Sequence, residues 1–306
     1  MKIAVVGAGA MGSLYGGYLS QNNEVFLIDI WKEHIEAIQS RGLVIEEAGE
    51  SQHIYHPKAA ASSASVGIAD LVLLFVKSIQ TEQALRDNIS LIGPKTVLLS
   101  LQNGLGNDED MRKFVGPEQI LIGTTSHGST MKQPGYICHR GFGATHLGPL
   151  ADENAQTADI VRVFNDAGFE TVLSDNIMNL VWSKLFVNIG INAITALLCQ
   201  TNSCINTGEY ANHAARKAVF EAVGVANAAG MSFDAEAVFR NVCDIAEKTG
   251  QNRSSMLADV INRRETEIDK INGAVVHKAR QLGLEAPFNE LLTCLVKAKK
   301  DTVPLS

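Results

Sequence analysis

The first residues whose spacing suggests chemistry are Gly7-Ala8-Gly9-Ala10-Met11-Gly12, a G-x-G-x-x-G that follows the apolar run 2–6 and opens a helical stretch. In such a motif the first glycine permits a tight turn, the second lets the backbone approach a pyrophosphate, and the third allows close helix–sheet packing. The helix N-terminus then offers its N–H groups to the anion. Glycine-rich turns also serve packing alone, but placement between two apolar runs favours a dinucleotide. Asp29 ends the second of those runs, 24–28, and lies 22 residues after Gly7, the spacing of a carboxylate that hydrogen-bonds a ribose 2′-hydroxyl. A carboxylate there repels a 2′-phosphate, so NAD(H) is expected over NADP(H). Two residues pull the other way: Lys32 would neutralise a phosphate, and Asp29 can instead cap the segment starting at Trp31.

A second group lies in Trp182-Ser183-Lys184-Leu185-Phe186-Val187-Asn188-Ile189-Gly190-Ile191-Asn192, with Lys184, Asn188 and Asn192 at i, i+4 and i+8. Each step of four drifts only about 40° around a helix, so the three share a face. The remaining positions are mostly apolar. Polar groups on a helix buried nearly all round must be hydrogen-bonded or must line a solvated cleft. A solvated strip on a surface helix has the same periodicity, and spacing does not separate the two. A third segment runs from Asn252 through Ser255 and Glu267 to Gly273 and reads as a helix, its Asp259, Arg263 and Glu267 forming a ladder of alternating charge. Ser255 and Glu267 then stand about 120° apart and serve one site only if a ligand spans that arc. No histidine has a comparable setting; His127 comes nearest, and a structural role suits it better.

The elements that must position these residues follow from hydropathy. Apolar runs at 2–6, 24–28, 71–76, 96–101 and 119–123 alternate with helical patterns, as a parallel, doubly wound sheet requires. Residues 43–57 read as a hairpin, 135–148 as a further antiparallel excursion, 59–65 as an Ala/Ser-rich loop, and 169–173 as a last short strand. From Asp175 onward the pattern is helical. Eighteen of the 26 glycines fall at or before Gly148, and residues 150–286 hold no proline. That division predicts an α/β domain at 1–173 and an all-helical domain at 174–306, each large enough for its own core.

Composition narrows the partners. A net charge of −7 with scattered Lys and Arg argues against nucleic acid or an anionic membrane surface. The start lacks the features of a signal peptide, and the longest purely apolar run, Leu71 to Val76, is far short of the roughly 18 residues of a transmembrane helix. The five cysteines, Cys138, Cys199, Cys204, Cys243 and Cys294, contain no CxxC pair. They read as buried thiols in a reducing cytoplasm, and no metal site is expected.

Taken together, GAGAMG, Lys77 in FVKSIQT, Asn103 in SLQNGLG, His127 in TTSHGST, WSKLFVNIGIN and SSMLADVINRRETEIDKING make the chain resemble the ketopantoate reductase (2-dehydropantoate 2-reductase) family over essentially its whole length. The resemblance implies an N-terminal Rossmann domain that binds NADPH and an all-helical C-terminal domain that supplies a catalytic lysine. Residue by residue, it implies Lys184 as that lysine and Glu267 as the essential glutamate. It implies Asn188, Asn192 and Ser255 as substrate-binding groups, Lys77 and Asn103 beside the nicotinamide, and Asn202 and Asn252 as further polar site residues. Asp29 departs from the pattern, because members that use NADPH commonly carry an arginine in this neighbourhood.

The implied reaction is hydride transfer to C2 of a 2-keto acid, 2-dehydropantoate giving (R)-pantoate, with Lys184 donating the proton. An NAD-dependent D-2-hydroxyacid dehydrogenase resembling D-mandelate dehydrogenase is the alternative within the same family. A dinucleotide sensor without turnover is the alternative outside it, and it has no need of a complete substrate-facing set of polar residues. The helical domain suggests, by analogy with the family, a homodimer.

Overall fold

A computed structural model describes residues 1–47, 51–150 and 156–301. It divides into two compact units, one made of Met1–Gln102 with Asn107–Ile177, the other of Asn103–Gly106 with Met178 onward.

The first unit holds strands Lys2–Val6 (β1), Glu24–Ile28 (β2), Leu43–Glu46 (β3), Gln52–Tyr55 (β4), Lys58–Ala60 (β5), Leu71–Leu74 (β6), Val97–Ser100 (β7), Ile120–Thr125 (β8), Gly128–Gln133 (β9), Tyr136–Gly141 (β10), Thr145–Pro149 (β11) and Thr171–Leu173 (β12). Its helices are Ala10–Leu19 (α1), Lys32–Arg41 (α2), Thr81–Asp87 (α3), Asn107–Met111 (α4) and Thr157–Asp166 (α5). Eight strands form one sheet in the order β12-β11-β8-β7-β6-β1-β2-β5, and four form a second in the order β4-β3-β10-β9. From β5 to β8 every neighbour in the larger sheet is parallel. β11 runs antiparallel to β8 and parallel to β12. Counted within its parallel part, the order is 3-2-1-4-5-6, the doubly wound arrangement whose ligand crevice opens where the winding reverses. That reversal lies between β1 and β6, and the register sets Val6 beside both Ile28 and Leu74, so the carboxyl ends of these strands finish level.

The strands at the reversal are continuous apolar runs because a parallel sheet buries both its faces. Leu71, Val72, Leu73 and Leu74 are all fully buried. α1 packs against β1 and β2 of the large sheet and against β3, β9 and β10 of the small one. A methyl group at Gly16 would lie 2.3 Å from Leu27 Cδ2, and one at Gly17 would lie 2.7 Å from Ile45 Cδ1. Both sheets therefore close onto one helix at positions without side chains.

Three local expectations need adjustment. The hairpin forms as β3 and β4, with Leu43 opposite Tyr55, but its turn at 48–50 lies outside the described residues. Residues 135–148 are not one excursion: β10 pairs with β9 and β3 of the small sheet, whereas β11 joins β8. Residues 59–65 are not all loop, because β5 extends the parallel sheet beside β2 before a 3₁₀ turn at Ser63–Ser65. Ladder bonds come from the backbone, so a short alanine strand on an edge carries no apolar signal.

The second unit is helical among its described residues, built from Ile177–Leu198 (α6), Cys204–Thr207 (α7), Glu209–Ala228 (α8), Ala235–Lys248 (α9), Ser255–Ile261 (α10), Asn272–Gln281 (α11) and Pro287–Asp301 (α12). α6 is long and apolar enough in composition to cross a bilayer, but most of its apolar window is buried inside the protein. Trp182, Leu185, Phe186 and Ile189 of α6 join Val219, Val223, Val242 and Val275 in the core of this unit.

The helix expected from Ser255 through Glu267 breaks. Arg263 has φ 52°, Arg263 N donates to Val260 O at 3.2 Å, and Arg264 N donates to Asp259 O at 2.8 Å. These are the two closing bonds of a Schellman C-cap, with Arg263 where glycine is usual. The ladder of Asp259, Arg263 and Glu267 therefore does not form on one helix, and Glu267 instead precedes a 3₁₀ turn at Ile268–Lys270. α6 ends in a similar way at Cys199, with φ 53° and Gln200 N bonded to Thr195 O at 3.2 Å. All five cysteines are free, but only Cys138 is buried; Cys199 and Cys294 are exposed, against the expectation of buried thiols. Cys199 is exposed because it occupies that turn rather than a core position.

Candidate active site

In the first unit the chain leaves β1 at Gly7, whose φ is +95°; a methyl group there would lie 2.5 Å from Val76 N, and one at Gly12 would lie 1.9 Å from Gly7 O. Backbone contacts thus demand both glycines. Gly9 differs: nothing lies within 4 Å of where its Cβ would stand. The missing side chain leaves an open space that a ligand backbone can enter. The first intrahelical bond of α1 runs from Ser13 N to Gly9 O at 2.8 Å, so the N–H groups ahead of it have no acceptor within the helix. Gly9, the residue just before the helix, lines a cavity of about 490 Å³ together with Gly7, Asp29, Phe75 and Lys77 at the carboxyl ends of β1, β2 and β6.

Asp29 lines this cavity and also works on the backbone. Its Oδ2 accepts from Ala8 N at 2.7 Å and its Oδ1 from Trp31 N at 2.9 Å. A carboxylate offers about four acceptor directions, so two remain for a ligand diol. The hydrogen bond at Trp31 is the local role foreseen for Asp29, and it coexists with a place in the cavity wall. Ile30 joins that wall. An unfilled cradle at Gly9, unpaired helix N–H groups and a carboxylate with spare acceptors fit a dinucleotide. Sequence reasoning missed further lining residues, among them Ser62, Gln83 and Asn88, since these come from turns and helix faces without a motif.

In the second unit, Lys184, Asn188 and Asn192 share one face of α6. Lys184 and Asn188 are half-buried and Asn192 is buried. Loss of solvent pushes the Lys184 pKa down to about 8, although the Glu267 carboxylate raises it. Residues 103–106 dock on the turn that holds Glu267: Leu105 N donates to Lys270 O at 2.9 Å, and Lys270 Nζ donates to Gly106 O at 3.4 Å. Asn103 Nδ2 thereby reaches Glu267 Oε2 at 3.2 Å. Asn103, implied to lie beside the nicotinamide, thus touches the glutamate directly. Asn188, Asn192 and Ser255 make no side-chain hydrogen bond among the described residues.

The remaining polar residues differ in their settings. Ser255 is the exposed first residue of α10. Its neighbour Ser254, which no motif flagged, caps that helix by accepting from Leu257 N at 3.1 Å and meets Thr195 Oγ1 at 2.7 Å, tying α10 to α6. Asn202 N donates to Asn252 O at 3.0 Å, and Asn202 Nδ2 donates to Thr249 Oγ1 at 2.9 Å. These bonds fasten the entry of α7 to the end of α9 and do not involve Lys184 or Glu267. His127 Nδ1 lies 3.0 Å from His139 Nε2, with the His127 ring edge-on to Phe169. Burial lowers its pKa, which suits a packed neutral ring.

Comparison with known proteins adds an independent line. Residues 3–152 match the family described as ketopantoate reductase PanE/ApbA, and residues 176–300 match its C-terminal part. The chain is 38% identical over 301 residues to 2-dehydropantoate 2-reductase of Pyrococcus horikoshii, covering 98% of each. It is 32% identical over 303 residues to the protein of that name from Streptococcus pyogenes, again with 98% of each covered. Among solved structures, D-mandelate dehydrogenase with NADH and anilino(oxo)acetate gives a TM-score of 0.92 at 34% identity, covering 98% of both chains. The PanE/ApbA family ketopantoate reductase from Ralstonia eutropha JMP134 gives 0.90 at 31% identity, covering 98% of this chain and 99% of that one.

Proposed function

The chain belongs to the ketopantoate reductase family, and from that premise we propose that it reduces the C2 keto group of a 2-keto acid, converting 2-dehydropantoate to (R)-pantoate. The observation that carries this reading is Lys184, whose ammonium the Glu267 carboxylate supports and which shares its helix face with two carboxamides that make no side-chain hydrogen bond among the described residues. A bound dihydronicotinamide supplies the hydride. Lys184 holds the keto oxygen through its ammonium, stabilises the alkoxide charge that develops there and delivers the proton. With a pKa near 8 it is protonated at neutral pH and is a stronger acid than an ordinary lysine. Glu267, held by Asn103, orients that ammonium. Asn188, Asn192 and Ser255 bind the carboxylate and hydroxyl groups of the substrate by neutral hydrogen bonds, which fixes C2 for attack. Lys77 adds positive charge in the dinucleotide cavity. Asn202 and Asn252 support the helices rather than the substrate.

NADH is the preferred dinucleotide in this reading, because Asp29 presents spare carboxylate acceptors to the cavity and would repel a 2′-phosphate. The same residue favours one second reading, an NAD-dependent D-2-hydroxyacid dehydrogenase acting on a 2-keto acid with an apolar side chain. Five free cysteines suit a reducing cytoplasm.

The test is a panel of 2-keto acids, including 2-dehydropantoate and phenylglyoxylate, with NADH and NADPH, on the natural protein and on Lys184→Ala. We expect the highest kcat/KM for 2-dehydropantoate with NADH and a loss of about 10²–10⁴ in kcat for the variant. Faster turnover of phenylglyoxylate would transfer the assignment to the second reading, and a strong preference for NADPH would remove the role given to Asp29. A variant within tenfold of the natural protein would exclude Lys184 as the acid. Dinucleotide binding without turnover on any acid would favour a sensor.

A further inference from the structure

Behind the glycine loop is a buried hydrogen-bond chain that no motif marks. His34, on α2, and Ser13, on α1, are both fully buried. Gly135 N donates to His34 Nδ1 at 2.9 Å, so that nitrogen carries no proton. His34 Nε2 is therefore the protonated nitrogen and donates to Ser13 Oγ, 3.0 Å away. The hydroxyl passes its own proton to Ala8 O at 2.8 Å. On its other side Ala8 donates its N–H to Asp29 Oδ2 at 2.7 Å. The residue between the first two glycines of the motif thus has both its peptide groups held, one by the carboxylate in the cavity wall and one by a chain anchored in the turn between β9 and β10.

We infer that Ser13 and His34 are positioning residues for the dinucleotide: they clamp the Ala8 carbonyl and so hold the loop in its binding conformation before the ligand arrives. The inference rests on the dinucleotide reading given above. A loop with glycines at both flanks has wide conformational freedom, and a ligand that had to order it would bind more weakly. The Ser13 hydroxyl joins His34 to the loop, and the Ala8 backbone also acts on the His34 ring as a hydrogen-bond partner, so both residues bear on the same peptide. The chain also fixes the tautomer of His34. Burial lowers the pKa of this ring although the Asp29 carboxylate acts against it, which keeps the ring in the neutral form that the two contacts need.

The test uses the full-length protein and titrates NADH by its fluorescence for Ser13→Ala, His34→Leu and the double variant, well below their unfolding temperatures. Leaving a buried partner unsatisfied should raise the Kd for NADH by about tenfold or more in each single variant. Because both substitutions break one chain, the double variant should lose little more than a single one. The KM for the 2-keto acid at saturating NADH should stay within about twofold, a split that general destabilisation would not produce. Single variants that bind NADH as the natural protein does, even with a lowered Tm, would overturn the positioning role and leave the dinucleotide reading standing. Natural protein that does not bind NADH or NADPH would overturn both. Should His34→Leu fail to fold, Ser13→Ala decides the question alone.

Discussion

A lysine that serves as an acid must hold its proton at the working pH and still give it up to an oxygen, and burial provides that compromise at Lys184. Taking the ammonium out of water disfavours its charged form, and the Glu267 carboxylate returns part of the loss, so the group titrates near 8 rather than near 10.5. The sign of the pH dependence follows. Keto acid reduction needs the protonated lysine, so kcat should be level below about pH 8 and fall by about tenfold per unit above it. Oxidation of the hydroxy acid needs the free amine and should rise through the same pH. Glu267→Gln removes the charge that supports the ammonium, so the midpoint should move to lower pH. Rate profiles in both directions for the two proteins check this, and a reduction profile flat from pH 6 to 10 would contradict it. At the same scale, Asp29 was legible from its distance to Gly7 and so was its bond to Trp31, two residues on, but its bond to Ala8 was not, because folding of the turn after β1 brings those two residues together.

At the scale of elements, the junction of β1 and α1 separates two roles for glycine that the motif merges. A methyl group at Gly12 collides with the backbone of Gly7, whereas one at Gly9 meets only the open space of the cavity. Gly12→Ala should lower the Tm and the affinity for NADH together. Gly9→Ala should leave the Tm within about a degree yet weaken NADH by roughly tenfold, about 1.4 kcal/mol, by filling the cradle. Calorimetry with NADH titration separates the two, and a Gly9→Ala protein that binds normally would move the pyrophosphate elsewhere. The break after α10 has a comparable significance. A continuous helix would have carried Glu267 on a charged ladder; the left-handed Arg263 ends the helix and leaves Glu267 at a turn where Asn103 reaches it. Sequence reasoning missed this because an arginine stands where a glycine would have signalled the stop.

At the scale of the molecule, the dinucleotide should act as a stabiliser of the unit that binds it. NADH at about 100 times its Kd contributes about 2.7 kcal/mol, enough to raise that unit's Tm by about 5–10 °C. Differential scanning calorimetry should show the shift, and transitions that ignore NADH would count against the cavity at Gly9. The sequence by itself determined the doubly wound first half, the helical second half, the glycine loop and the shared face of Lys184, Asn188 and Asn192. Those features rest on local periodicity and on glycine, which neighbouring residues specify without help from the rest of the chain. Only the tertiary structure decided that residues 103–106 belong with the helical unit, that Asn103 grips Glu267, and that Ser13 and His34 hold Ala8. Each of these depends on one or two hydrogen bonds between groups far apart in the chain, such as Asn103 with Glu267 or His34 with Gly135, and such bonds leave no repeat or spacing in the sequence because only folding brings their partners within reach.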